Sequence, residues 1–100
     1  MRLRLLVVAD AERQIREAAA WWIENRPAAR GLFRRELARG FDLITTQPGI
    51  GMKALDAPIL ALRRLHLYRI HYYLYYRLLD EEAVEVLALW HTSRGQGPPL

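Results

Sequence analysis

The last third of the chain, from His71 to Arg94, constrains the fold more than any other segment. It reads HYYLYYRLLDEEAVEVLALWHTSR, and its first run alternates two sets of side chains with a period of two residues. One side of the run carries Tyr72, Leu74, Tyr76 and Leu78, and the other carries Tyr73, Tyr75 and Arg77. The acidic triplet at 80–82 then provides a polar connection to a second apolar run. The pattern therefore predicts a β-hairpin that ends the fold.

The segments before this hairpin predict one strand and two helices. Residues 2–9 alternate in the manner of a short strand, and Asp10 stands where an N-cap belongs, before a first helix over residues 11–25. Pro27 suits the first turn of a second helix, because proline lacks only a donor that is unpaired there. The breaker cluster at 47–51 ends that helix.

The order of these elements predicts a two-layer α+β fold. Residues 59–69 mix apolar and polar side chains as a strand does, so we expect an N-terminal strand, an antiparallel two-helix hairpin and three antiparallel strands. A chain of 100 residues indicates one domain, which we assign to residues 1–94, with residues 95–100 as a flexible tail. The sheet face away from the helices is then either open or covered by another segment.

The charges of the chain indicate anionic partners. The net charge is +4, and fourteen of the fifteen cations are arginine, whose guanidinium group binds carboxylates or phosphates in a bidentate manner. Without cysteine, and with only three histidines, the sequence predicts no metal and no other cofactor. Since no apolar run is long enough to span a bilayer, we expect a cytoplasmic protein with no membrane partner.

The candidate chemistry lies on the hairpin. A face rich in tyrosine and arginine suits RNA, although both residue types are also common on half-exposed strands. His91 could serve as a general acid or base, and Arg94 could hold a phosphate. The structural alternative is that His91 packs under Trp90 with local hydrogen bonds, while Arg94 caps the sheet edge.

Taken together, these features resemble the RelE/ParE superfamily of toxins from bacterial type II toxin-antitoxin systems, over nearly the whole chain. The resemblance rests on the element order, on Trp21-Trp22 near the end of the first helix, and on LITTQPGIG at 43–51. Its most specific part is Tyr72-x-x-x-Tyr76-Arg77 followed by His91-x-x-Arg94. This ending is nearer to the ParE branch.

The resemblance to the ParE branch implies a plasmid-stabilising toxin that inhibits DNA gyrase and is not an enzyme. It also implies a cognate antitoxin, ParD-like, whose acidic C-terminal segment folds onto the basic toxin. The residues assigned to antitoxin binding are the cations and tyrosines of the second helix and of the sheet: Arg34, Arg35, Arg39, Arg69, Tyr73, Tyr75 and Arg77.

The resemblance leaves two other activities open. The first is a ribosome-dependent mRNA endoribonuclease of RelE type, with DNA gyrase replaced by the ribosome and mRNA as partners. Its candidate residues are Arg64, Arg77, His91 and Arg94. That set is incomplete, because residues 95–100 contain no tyrosine, histidine, lysine or arginine. The second is a family member without toxicity, kept as a binding module.

Overall fold

Two helices cover one face of a mixed five-stranded sheet, which confirms the predicted α+β fold. The computed structural model describes residues 2–55 and 57–100. In chain order the elements are β1 Arg4–Val7, α1 Ala9–Asn25, a 3-10 turn Pro27–Ala29, α2 Arg30–Thr46, β2 Met52–Lys53, β3 Arg63–Leu67, β4 Tyr72–Leu78 and β5 Ala83–His91. The strand order is β1-β5-β4-β3-β2, with β1 parallel to β5 and the other neighbours antiparallel.

The start of α1 differs from the prediction, and the assignment of Asp10 as its N-cap is wrong. The backbone N–H of Val8 donates to Val86, and the carbonyl of Val8 accepts from Glu12, so the chain passes directly from strand to helix. The helix begins at Ala9 without a side-chain cap, which places Asp10 in its first turn. A carboxylate there still stabilises the helix through its dipole.

Two strand predictions also need correction. β2, with only two residues, was missed because so short a segment has no periodicity to detect. The strand predicted over residues 59–69 is shorter, since β3 begins at Arg63. Leu78 shares the helix-facing side of β4 but is about half exposed, because it lies at the strand end.

The main core lies between the helices and the sheet. An aromatic series joins the two layers: the ring centroids of Trp22 and Phe33 are 6.2 Å apart, and Phe33 meets Tyr72 edge-on at 5.9 Å. The indole N–H of Trp22 donates to the carbonyl of Ala29 at 2.8 Å, which pairs its polar atom within the helix junction. Leu37, Ile44, Leu74, Tyr76, Val84 and Val86 complete the buried centre.

Tyr76 ties the sheet to the loop that follows α2. Its hydroxyl donates to the carbonyl of Pro48 at 2.7 Å and accepts from the N–H of Gly51 at 2.8 Å. The side chain is fully buried, so both loop groups obtain their partner inside the core. This contact fixes where the chain enters β2.

The second sheet face is covered in part by the chain itself. Tyr75 pairs with Ala88 and Tyr76 with Val86, so Leu87 is an extra residue that forms a β-bulge on β5. Leu87 and Ala88 consequently join Leu62 and Tyr75 in a small second core. Two segments pack against this second core. The connection between β2 and β3 contributes Ala54, Ala57 and Ile59, and the segment after β5 contributes Leu100. The indole N–H of Trp90 also donates to the carbonyl of Gln96, while the flexibility of residues 95–100 stays a prediction.

Candidate functional site

A groove of about 510 Å³ lies on the sheet face away from the helices. The connection after β2 forms one wall, and residues 94–98 with Leu100 form the other. Its floor comes from the sheet and contains Arg64, Tyr73, Tyr75, Trp90 and His91. The groove therefore combines guanidinium groups with aromatic rings.

Two arginines of this groove stack on aromatic rings. The Cζ atom of Arg64 lies 4.3 Å from the ring centroid of Tyr73, and its Nη1 donates to the hydroxyl of Tyr75 at 3.4 Å. The Cζ atom of Arg94 lies 4.0 Å from the ring centroid of Trp90. Stacking fixes the plane of a guanidinium group and thereby orients its N–H edge. Such an arrangement suits an anionic or planar ligand.

His91 occupies the end of β5 and is engaged in local contacts. Its ring meets Tyr72 edge-on at 5.0 Å, so it lies beside Tyr72 rather than under Trp90. Its Nδ1 accepts from the backbone N–H of Ser93 at 3.1 Å and lies 2.7 Å from the hydroxyl of Ser93. Burial, together with the charges of His71 and Arg94, lowers the pKa of His91 below its ordinary value. These contacts favour a neutral imidazole whose proton is on Nε2.

We expect the ring of His91 to titrate below pH 6.5, the ordinary value for histidine. Because the unfolded chain takes up this proton first, His91 makes the folded state less stable as the pH falls through that range and has no effect well above it. NMR titration of the imidazole C–H signals of His91 would measure the pKa. A pKa of His91 at or above 6.5 would contradict this description of the site.

Arg77 lies apart from the groove. Its Nε donates to Oε1 of Glu85 on β5 at 2.9 Å, across the register pair that joins these two residues. Three of the four residues in the endoribonuclease hypothesis, Arg64, His91 and Arg94, line the groove, but the ring of His91 lies against Tyr72, on the helix-facing side of β4. Arg77 instead forms an ion pair on the same sheet face.

The cations of α2 form a second site on the helical side of the molecule. Arg34, Arg35 and Arg39 are exposed, while Glu36 is buried. Oxygen atoms of Glu36 lie 3.2 Å from Nη2 of Arg39 and 4.0 Å from Nη1 of Arg69, and the hydrogen bond to Glu36 raises the pKa of Arg39. Because Glu36 is buried, Arg39 and Arg69 have a structural role as well as a surface one.

The residues predicted to bind antitoxin are therefore divided between two faces. We call Arg34, Arg35, Arg39 and Arg69 the helical cationic face, and Tyr73, Tyr75 and Arg77 the sheet face. Sequence reasoning missed Glu36 and Trp90 as members of these sites. The spacing of Glu36 and Arg39 by three helical residues was a visible signal for an ion pair. Nothing in the sequence indicated that the guanidinium group of Arg94 would stack on the ring of Trp90.

The fold is that of a small α+β protein with exposed arginines on its helical side. Residues 6–95 match the family model described as "ParE toxin of type II toxin-antitoxin system, parDE". The chain belongs to this ParE toxin family, which confirms the resemblance found in the sequence. Membership implies a cognate antitoxin as a partner.

A comparison of structures agrees on the fold. The solved structure titled "Chromosomal ParDE TA system from P. aeruginosa" is similar to this chain, with a TM-score of 0.72 and 11% sequence identity. The match covers 92% of this chain and 98% of that chain. A comparison with curated proteins gave no match. Among the described residues, no helix has the length and apolar character required to cross a membrane.

Proposed function

We propose that this chain is a cytoplasmic toxin that inhibits DNA gyrase and is held inactive by a ParD-like antitoxin. One observation carries the choice of a binding function over RNA cleavage. The groove has cations to hold an anion, but the Nδ1 of its histidine is occupied by Ser93, and the pKa of that histidine is lowered. Residues 95–100, most of which line one wall, contain no side chain that could transfer a proton.

The helical cationic face and the sheet face support neutralisation by an extended acidic segment. Arg69 lies in the turn between β3 and β4 and contacts Glu36 of α2, so this turn connects the helical cationic face to the sheet face. A segment passing around the turn must cross the thickness of the molecule, whose shortest extent is 22 Å. About seven extended residues span that distance. An acidic segment of modest length would therefore reach both faces.

Purified toxin should be assayed in parallel for inhibition of gyrase supercoiling and for mRNA cleavage on ribosomes. We expect supercoiling to fall as toxin is added, and mRNA to stay intact. The control is toxin mixed beforehand with equimolar antitoxin, which should leave supercoiling at its normal rate. Undisturbed supercoiling together with cleaved mRNA would overturn the gyrase proposal.

A RelE-type endoribonuclease is the second candidate, because Arg64, His91 and Arg94 line one groove. In that case the stacked arginines would hold the phosphates, and His91 would have to release its contact with Ser93 to transfer a proton. Cleavage in the parallel assay that disappears in the Arg94→Ala variant would support this candidate.

A further inference from the structure

Two arginine side chains lie next to each other on the floor of the groove. Tyr73 of β4 and Trp90 of β5 are register partners, so their rings stand side by side on the side of the sheet away from the helices. Arg64 stacks on the first ring and Arg94 on the second. The two stacks are therefore about one strand spacing apart, roughly 5 Å. We call Arg64 and Arg94 the arginine pair.

Local contacts hold the arginine pair in place before any ligand binds. Arg64 is held by the hydroxyl of Tyr75 as well as by its stacking on Tyr73. Arg94 follows a tight turn in which its backbone N–H donates to the carbonyl of His91 at 3.2 Å, and stacking then fixes its side chain. A side chain that is already ordered loses less conformational entropy on binding. The arginine pair is thus preorganised.

The charges of the groove indicate an anionic ligand. None of the groove residues that the structure describes has a carboxylate side chain. On the same side of the sheet, Arg77 is neutralised by Glu85 at 2.9 Å, whereas Arg94 forms no ion pair with any residue in the described part of the chain. An anionic group that enters the groove therefore meets cations and no like charge from these residues.

The geometry favours carboxylates carried by a peptide. A guanidinium group binds a carboxylate through two parallel hydrogen bonds, which a planar, oriented side chain makes best. Residues i and i+2 of an extended segment lie on one side of it, about 7 Å apart, so the carboxylates of one such pair can reach both stacks. Leu55, Ala57 and Pro58 on the wall after β2 give apolar side chains of the same segment a place to pack.

Single-stranded RNA is the competing ligand for a basic groove that contains aromatic rings. RNA-binding surfaces of this kind depend on bases that stack on exposed ring faces. Here the guanidinium groups each cover one face of the ring on which they stack, and the third ring, that of Tyr75, is buried. The groove presents N–H groups and apolar side chains more than ring faces, which fits an acidic peptide better than RNA.

We propose that the arginine pair binds two carboxylates on one side of the antitoxin segment that docks in the groove. Arg64 and Arg94 then supply the cations of this contact, while Arg77 keeps its ion pair with Glu85. The inference rests on the proposed function only in that an antitoxin neutralises the chain, and it does not depend on gyrase as the target.

The test is the double variant Arg64→Met/Arg94→Met, titrated calorimetrically with the purified cognate antitoxin. Methionine keeps an unbranched apolar side chain for each ring and removes the guanidinium group. We expect the affinity to fall at least about 30-fold, because two charge-assisted contacts are lost. The matched control is Arg13→Met/Arg16→Met, whose arginines pair with acids of their own helix, and it should stay within about twofold of the wild type.

Two further variants sharpen the test. Arg64→Lys/Arg94→Lys keeps both charges but not the planar fork, so we expect it to bind the antitoxin about tenfold more weakly than the wild type. Arg94→Met alone changes an exposed residue beyond β5 and repeats the measurement if a melting curve shows that the double methionine variant is unfolded. This single variant should lose about fivefold in affinity.

Wild-type affinity in either double variant of the arginine pair would overturn the proposal, and so would an equal loss in the control. A single-stranded RNA oligonucleotide is titrated in parallel. If the methionine variant loses affinity for RNA but not for the antitoxin, RNA is the ligand of the groove and the proposal fails. Calorimetry involves no gyrase, so the two proposals stay separable. Intact supercoiling with wild-type toxin, together with weakened antitoxin binding by the methionine variant, would end the gyrase assignment and leave the arginine pair in place.

Discussion

Replacing Gly51 with alanine is expected to lower the free energy of unfolding by roughly 2–4 kcal/mol, through overpacking and the loss of buried hydrogen bonds. A Cβ atom at Gly51 would lie 2.7 Å from the hydroxyl of Tyr76 and 2.8 Å from the backbone carbonyl of Arg64. Neither atom can move away easily, because Tyr76 is fully buried and Arg64 is paired within β3. The loop after α2 must therefore shift. Urea denaturation of both proteins would measure the difference.

The variant Tyr76→Phe tests the same contact from its other side. It leaves the N–H of Gly51 and the carbonyl of Pro48 without their partner, which should cost about 1–3 kcal/mol. Tyr68→Phe is the control, because Tyr68 is exposed and its change should have little effect. Wild-type stability in both Gly51→Ala and Tyr76→Phe would show that this anchor does not hold the loop.

Reversing two charges on α2 should weaken antitoxin binding roughly 30-fold, which corresponds to about 2 kcal/mol. The variant is Arg34→Glu/Arg35→Glu. Arg39 is left unchanged, since its loss would deprive buried Glu36 of its nearest cation and destabilise the fold. Calorimetric titration at several salt concentrations should also show that the complex of the variant depends less on salt, because attractive charge pairs have been removed.

The control for this variant comes from the neighbouring helix. Arg13→Glu/Arg16→Glu makes the same change in charge on α1, where both arginines already form ion pairs with acids of their own helix. We expect this control to bind the antitoxin nearly as well as the wild type. Equal losses in the two variants would mean that overall charge, rather than the helical cationic face, governs binding.

The alternation of side chains every two residues in the hairpin made most of the sheet predictable. Alternation over residues 72–78 correctly separated the helix-facing side of β4 from its other side, because the two faces bury different side chains. The bulge at Leu87 could not be foreseen, since an extra residue in an apolar run leaves no mark in the pattern. β2 also escaped prediction, because its position depends on distant contacts with β3.

The candidate sites were predictable as residues but not as surfaces. Arginine and tyrosine content indicated docking to anions, yet only the fold shows that α2 and the sheet present these residues on separate faces. The anchoring of Gly51 by Tyr76 joins residues 25 positions apart, a contact that no local pattern contains. Leu55 and Leu60, between β2 and β3, look like core residues in the sequence, and only the structure shows that they are exposed.

The most direct test of the proposed function is a supercoiling assay in which gyrase, toxin and antitoxin are added in a controlled order. Toxin alone should abolish supercoiling, and toxin preincubated with wild-type antitoxin should have no effect. The Arg34→Glu/Arg35→Glu toxin should remain inhibitory at antitoxin concentrations that silence the wild type. Supercoiling that continues unchanged at every toxin concentration, whether or not antitoxin is present, would contradict the assignment of this chain as a gyrase inhibitor.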